Sequence, residues 1–204
     1  MKHDEAATGD IGSDARARLD VFARLLVRWN PTIKLVSDQD IANLWTRHIA
    51  DALQIVRHIP PQVDHAIDLG SGGGFPGLVL ALATNIHFDL IEADSRKAAF
   101  LQEAVTLTKT NATVHANRAQ EVALPARMLI TARALAPLPR LLELAQPFVA
   151  EGGICLFPKG EQADLEIRDA HKDWIMDLQQ IPSSTSSKGR VLRVSGLCRR
   201  ETVS

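Results

Sequence analysis

The chain of 204 residues contains no tyrosine, two cysteines and only 4% aromatic residues. Platforms that stack the bases of single-stranded nucleic acid need several aromatic rings, so that class is disfavoured. Cys155 and Cys198 stand far apart, without a C-x-x-C spacing or a histidine partner, which argues against a zinc site and a disulfide framework. Both lie in apolar segments and are expected as buried thiols, and no metal site is expected. No run approaches the roughly 18 uninterrupted apolar residues of a membrane span. The acidic start Met1-Lys2-His3-Asp4-Glu5 lacks the basic and apolar regions of a secretory signal, so a soluble, cytoplasmic protein is expected. Charge of one sign is also missing: 23 basic residues face 24 acidic ones, for a net −1. Any contact with nucleic acid must therefore run through a local patch.

The 46% of residues that are apolar are enough for the core of one domain. Residues 1–12 read as a polar, disordered lead. From Ser13, a candidate N-cap, Leu19, Phe22, Leu25, Leu26 and Trp29 recur at helical spacing up to Asn30-Pro31. A short extended piece is expected over Ile33–Val36. Ser37 then opens a second helix with the stripe Ile41, Leu44, Trp45, Ile49, Leu53 and Val56, ending at Pro60-Pro61. Residues 13–61 thus form a helical cap on a main body, residues 62–204. There, strands are expected at His65–Leu69, His87–Ile91, Ala112–Ala116, Met128–Ala132 and Gly153–Phe157, with helices at Phe75–Ala83, Ser95–Thr108 and Leu138–Val149. Such alternation implies parallel strands with right-handed crossovers. The tail reads as a helix Ala163–Lys172, a strand Met176–Ile181, a Ser-rich hairpin loop and a strand Arg190–Leu197.

The segment Asp68-Leu69-Gly70-Ser71-Gly72-Gly73-Gly74-Phe75-Pro76-Gly77 follows the first strand and opens a helix. It fits G-x-G-x-x-G, a dinucleotide pattern, and D-x-G-x-G-x-G, which suits S-adenosylmethionine. A pyrophosphate wants backbone N–H donors, yet Pro76 supplies none and Asp68 adds negative charge. S-adenosylmethionine carries no phosphate and tolerates the acid, so methyl transfer is the favoured reading and a dehydrogenase the alternative. Glu92 ends the second strand, where it can accept from ribose hydroxyls under either reading. Asn117–Glu121 follows the third strand, near an adenine site, and Arg133 follows the fourth, where donor meets acceptor. Carbon methylation needs a loop-borne cysteine, and exocyclic amines commonly use a tyrosine-containing loop after the fourth strand. Here that loop is Arg133-Ala134-Leu135-Ala136-Pro137. A ring nitrogen such as guanine N7, already nucleophilic at neutral pH, remains. No residue is nominated as an acid–base catalyst, because proximity alone supplies up to ~7–11 kcal/mol.

Trp29-Asn30, Arg47-His48-Ile49-Ala50-Asp51-Ala52-Leu53, the glycine loop, Arg118-Ala119-Gln120-Glu121, Ala132-Arg133-Ala134 and Pro158-Lys159-Gly160 together closely resemble the RsmG, or glucose-inhibited division protein B, family. The resemblance spans Phe22 to Val194. It implies a class I, Rossmann-like α/β methyltransferase: a mostly parallel, doubly wound sheet with an antiparallel C-terminal strand and an N-terminal helical cap. It also implies methyl transfer from S-adenosylmethionine to N7 of a guanosine in the 530 loop of 16S ribosomal RNA, with rRNA or the small ribosomal subunit as partner; the chain itself is expected as a monomer. Cofactor contacts are implied at Gly70, Phe75, Ala119, Gln120 and Arg133. Asp68, Gly72, Gly74 and Glu92 rest on the residue argument. Gln120 stands where the family often has Glu, and Glu92 where some members have Asp. Candidate RNA contacts are Arg47, His48, Lys159, Lys188 and Arg190, with Arg24, Arg28 and Lys34 as further phosphate partners of a basic tail that includes Arg193, Arg199 and Arg200. The alternatives are a methyltransferase of another RNA or a small molecule, and a binding module without turnover.

Overall fold

The computed structural model describes residues 11–200, so most of the expected polar lead lies outside the described residues. Seven strands form one sheet: β1 (His65–Leu69), β2 (His87–Ile91), β3 (Ala112–His115), β4 (Arg127–Ala132), β5 (Val149–Lys159), β6 (Trp174–Pro182) and β7 (Arg190–Arg199). Their order is β3-β2-β1-β4-β5-β7-β6, with β1 to β5 parallel and β7 antiparallel to both of its neighbours. The chain leaves β1 toward one edge and returns to its other side at β4. A crevice consequently opens beyond the carboxyl ends of β1 and β4.

Both faces of the sheet are covered, which is why its inner strands read as continuous apolar runs. Alternate residues divide between two cores. Ala66, Leu129 and Leu156 face α1 (Ser13–Ile33), α4 (Gly77–Ala83) and α5 (Ser95–Thr108). Ile67, Ile130 and Phe157 face α6 (Leu138–Ala145) and α7 (Ala163–Asp173). Helix α1 is fastened to α5 by Trp29, whose ring meets Phe100 edge-on and whose Nε1 donates to Glu103 Oε2 at 2.8 Å.

Several expectations need correction. Gly12, not Ser13, occupies the N-cap of α1, and no side chain caps that end. The helix continues through Pro31 to Ile33, so the extended piece at Ile33–Val36 is absent; Lys34 instead turns left-handed at φ 44° and bonds back to Asn30 O. The second helix is broken. Ser37 caps α2 (Asp38–Ile41), a turn intervenes, and a π-helix Trp45–Ile49 leads into α3 (Ala50–Leu53) and a 3₁₀ turn Gln54–His58. The π segment keeps Trp45 and Ile49 buried, so the apolar stripe continues unchanged through the altered hydrogen-bond spacing. Helix α6 stops at Ala145, followed by a short turn containing Pro147. Cys155 is buried in β5, but Cys198 is exposed near the end of β7. Among the described residues no helix is long and apolar enough to cross a membrane.

Candidate active site

The glycine loop runs from β1 into α4 with Gly70, Gly72 and Gly74 at φ +66°, +53° and +90°, a region that side chains rarely adopt. At Gly70 space matters as well: a Cβ there would lie 2.6 Å from Leu135 Cδ1. The loop spends its own donors. Gly74 N–H and Phe75 N–H go to Ser71 O, Gly72 N–H goes to Glu92 Oε2 at 2.8 Å, and Pro76 has none. A pyrophosphate would find few N–H groups here and a carboxylate among them, so the dinucleotide reading loses its physical basis.

Above the loop lies a cavity of about 420 Å³, within the range of small-molecule sites. Gly70, Gly72, Phe75, Glu92, Ala119, Gln120 and Arg133 all line it. Glu92 is fixed by Gly72 N–H and by Asp94 N–H, each at 2.8 Å, and its oxygens retain lone pairs for ribose hydroxyls. Bared backbone, a held carboxylate at the end of β2 and the Ala119–Gln120 turn opposite fit S-adenosylmethionine. Asp68 and Gly74 do not line the cavity. Asp68 lies fully buried beneath the loop, accepting from Thr131 Oγ1 at 2.6 Å, while its Oδ2 has no hydrogen-bond partner. Burial pushes its carboxyl up to about 6. The start of α4 presses on it, for a Cβ on Gly77 would sit 2.4 Å from Asp68 Cβ. Gly74 packs against Leu78 and Phe22. Both residues shape the loop from behind.

A second cavity of about 780 Å³ adjoins the first, and Arg133, Ala134 and Leu135 border both. Arg133 stands at the junction with its guanidinium 4.8 Å from the centre of the Phe75 ring. Its protein hydrogen bond is a long one, NH1 to Asp51 Oδ2 at 3.5 Å, which leaves most of its five donors for a ligand. Desolvation lowers its pKa, and the Asp51 carboxylate opposes that shift.

The R-H-I-A-D-A-L segment acquires a physical account here. Asp51 Oδ1 accepts from Gln54 Nε2 at 2.7 Å and from Thr185 Oγ1 at 2.8 Å, while Oδ2 faces Arg133. Gln54 Oε1 in turn accepts from Ser184 N–H at 2.8 Å. One carboxylate thus ties the N-terminal segment, the end of β4 and the β6–β7 hairpin together. His48 lies on the Phe75 ring, centroids 5.1 Å apart. Its ring nitrogens are buried without hydrogen bonds, and burial followed by the nearby Arg133 charge lowers its pKa to about 4. Its Nε2 stands 3.6 Å from Asp40 Oδ2, with 14% of the side chain exposed. Arg47, more exposed, pairs with Asp40 at 3.0 Å.

The basic tail also differs from its sequence reading, because folding supplies acids the local sequence lacks. Lys188 pairs with Glu161 at 2.6 Å, Arg190 with Asp164 at 2.7 Å, and Arg199 approaches Glu143 at 3.7 Å. Arg28 pairs with Glu103, and Lys34 with Asp38 at 2.5 Å. Lys159 is turned inward, 8% exposed, and pairs with Glu166 at 2.7 Å. Sequence reasoning did not assign Asp51, Gln54, Thr185, Leu135 or Glu166. The three-residue spacing of Asp51 and Gln54 was a readable signal; their link to the hairpin across about 130 positions was not.

Comparison with known proteins agrees with this geometry. A family model described as GidB, rRNA small subunit methyltransferase G, matches residues 15–193. Ribosomal RNA small subunit methyltransferase G of Gluconobacter oxydans is 49% identical over 185 residues, covering 91% of this chain and 95% of that protein. The protein of the same name from Acidiphilium cryptum is 46% identical, covering 95% and 96%. Among solved structures, a ribosomal protein methylase from Lactobacillus delbrueckii subsp. bulgaricus superposes with a TM-score of 0.60 at 14% identity, covering 76% of this chain and 79% of that one. A variant of MtNAS in complex with S-adenosylmethionine gives 0.59 at 12% identity, covering 88% and 75%. These last two show the class I, Rossmann-like fold alone. With the family model matching nearly the whole chain and close relatives matched almost end to end, the chain belongs to the GidB family, rRNA small subunit methyltransferase G.

Proposed function

We propose that this chain, an S-adenosylmethionine-dependent methyltransferase of 16S ribosomal RNA, places the methyl group on N7 of a guanosine in the 530 loop. The observation that supports N7 is the character of the junction between the two cavities. Arg133, Ala134 and Leu135 meet there, and none of them is a nucleophile or a free base. Cys155 is buried in β5 with its thiol pushed up to about 12, and neither cysteine lines a cavity. The carboxylates on the wall of the larger cavity, Asp51 and Glu166, are each engaged by two or more donors. An acceptor with its own in-plane lone pair suits such a site; a ring carbon, which needs an attacking nucleophile, and an exocyclic amine, whose lone pair is delocalised into the ring, do not.

S-adenosylmethionine supplies an electrophilic methyl group on a sulfonium. Gly70, Gly72, Phe75, Glu92, Ala119, Gln120 and Arg133 are the residues proposed to hold it, with Asp68 and Gly74 fixing the loop beneath. The larger cavity takes the base. Arg47 and Arg190 on its wall, and Lys188 in the adjoining hairpin, are the proposed phosphate contacts. Of their present carboxylate pairs, Lys188–Glu161 is exposed on both sides, a kind of pair worth about 0–1 kcal/mol and cheap to exchange for phosphate, while Arg47–Asp40 and Arg190–Asp164 are exposed on one side.

Nucleoside analysis of labelled 16S RNA tests the acceptor. Naked RNA and assembled small subunits are incubated with methyl-labelled S-adenosylmethionine and then digested. The label is expected in 7-methylguanosine; label in a methylated pyrimidine or exocyclic amine would overturn the proposal.

A further inference from the structure

Residues 134–137, the loop between the two cavities, need an external support. Ala134 sits at φ +54°, which L-residues adopt reluctantly, and none of Ala134, Leu135, Ala136 and Pro137 has a polar side chain. Leu135 is 39% exposed, and its tip lies over Gly70, 2.6 Å from where a Cβ on that glycine would stand. The support comes from β5 and α7. Lys159 Nζ donates to Ala136 O at 2.8 Å and pairs with Glu166 Oε2 at 2.7 Å. The same Glu166 oxygen accepts from Leu138 N–H at 2.8 Å. One ion pair therefore fixes the backbone on both sides of Pro137. A pair this enclosed adds little net stability, since desolvation offsets the attraction, so its effect lies in geometry.

We infer that Lys159 and Glu166 are positioning residues for methyl transfer, holding the Ala134–Pro137 loop so that Leu135 presents an apolar surface to the target base where the two cavities meet. The inference rests on reading the larger cavity as the acceptor cleft. A base taken out of its stack is gripped by apolar or aromatic side chains. This loop offers no aromatic ring, and Leu135 is its large apolar side chain. Lys159 thereby acts inward on the loop and contacts no phosphate.

The test compares wild type with Lys159→Met, Lys159→Arg and the double variant K159M/E166Q. It follows single-turnover transfer at saturating 16S RNA, normalised to the folded fraction, with S-adenosylmethionine affinity, thermal unfolding and the salt dependence of RNA binding. Lys159→Met is expected to slow transfer about 100-fold, the effect of a misplacement on the order of 1 Å, with cofactor affinity and salt slope unchanged. Lys159→Arg is expected to keep most of the rate. The double variant leaves no unpaired buried charge, so its melting temperature is expected to recover while transfer stays slow. Recovery of the rate together with stability would overturn the inference. So would a salt slope flattened by about 1 with an unchanged saturating rate, the signature of a lost phosphate contact. A wild-type enzyme that leaves N7 unmethylated fails the acceptor reading, whereas a wild type and a Lys159→Met variant of equal rate fail this inference alone.

Discussion

Burial acts on His48 and Asp68 in opposite directions, and the consequence is a pH dependence that can be measured. His48 titrates near 4 in the folded chain and near 6.5 when free, so between those values the unfolded chain takes up a proton that the folded chain refuses. Stability is lost as pH falls through that window. Asp68 titrates near 6 when folded and near 3.8 when free, so its protonation adds stability as pH falls through 6. The two oppose each other between about pH 4 and 6. Replacing His48→Phe keeps a ring against Phe75 and removes the first contribution. Denaturant unfolding is expected to show the variant gaining on wild type by up to about 3 kcal/mol as pH drops from 7 to 4; parallel pH curves would contradict the role given to His48. Both residues were visible in the sequence as parts of motifs. Their burial was not, because it depends on Phe75 packing over His48 and on α4 starting against Asp68.

Elements with a complete local signal were legible. Helix α5 runs Ser95–Thr108 as its pattern indicates, with Asp94 at the N-cap accepting from the N–H groups of Arg96 and Lys97. The segment after Ser37 reads as one helix because a single apolar stripe passes through an α-helix, a turn, a π-helix and a 3₁₀ turn. Apolar periodicity reports which side is buried and is blind to a change of hydrogen-bond spacing. The β6–β7 hairpin loop was legible as a loop, but its docking to Gln54 and Asp51 rests on contacts across more than 125 residues. Gln54→Ala is expected to release it. Amide exchange at Ser184 should rise by about tenfold or more, while exchange in the β1–β4 core stays protected. Unchanged exchange at Ser184 would show that the hairpin is held by its own turn.

At the scale of the whole molecule, the near balance of charge is realised as pairing. Cations of the tail meet acids contributed by α7, by Glu161 and by Glu143, and of these cations Arg190, paired with Asp164, stands on the wall of the larger cavity. Reversing Lys188→Glu and Arg190→Glu together is expected to weaken 16S RNA binding and reduce its log–log salt slope by about 2, with cofactor affinity retained. An unchanged slope would move the phosphate contacts elsewhere. The strand succession after His65 and the glycine loop are legible in the sequence because each lies within a short stretch of chain. The larger cavity, proposed to take the base, is not, since its walls come from four separate segments. The central claim is that this cleft delivers a guanine N7 of the 530 loop to the methyl group. Reduction and aniline scission of the methylated 16S RNA, read by primer extension, tests it most directly. A single enzyme-dependent break at one guanosine in the 530 loop is the predicted result; methylated RNA that resists scission there would contradict the account.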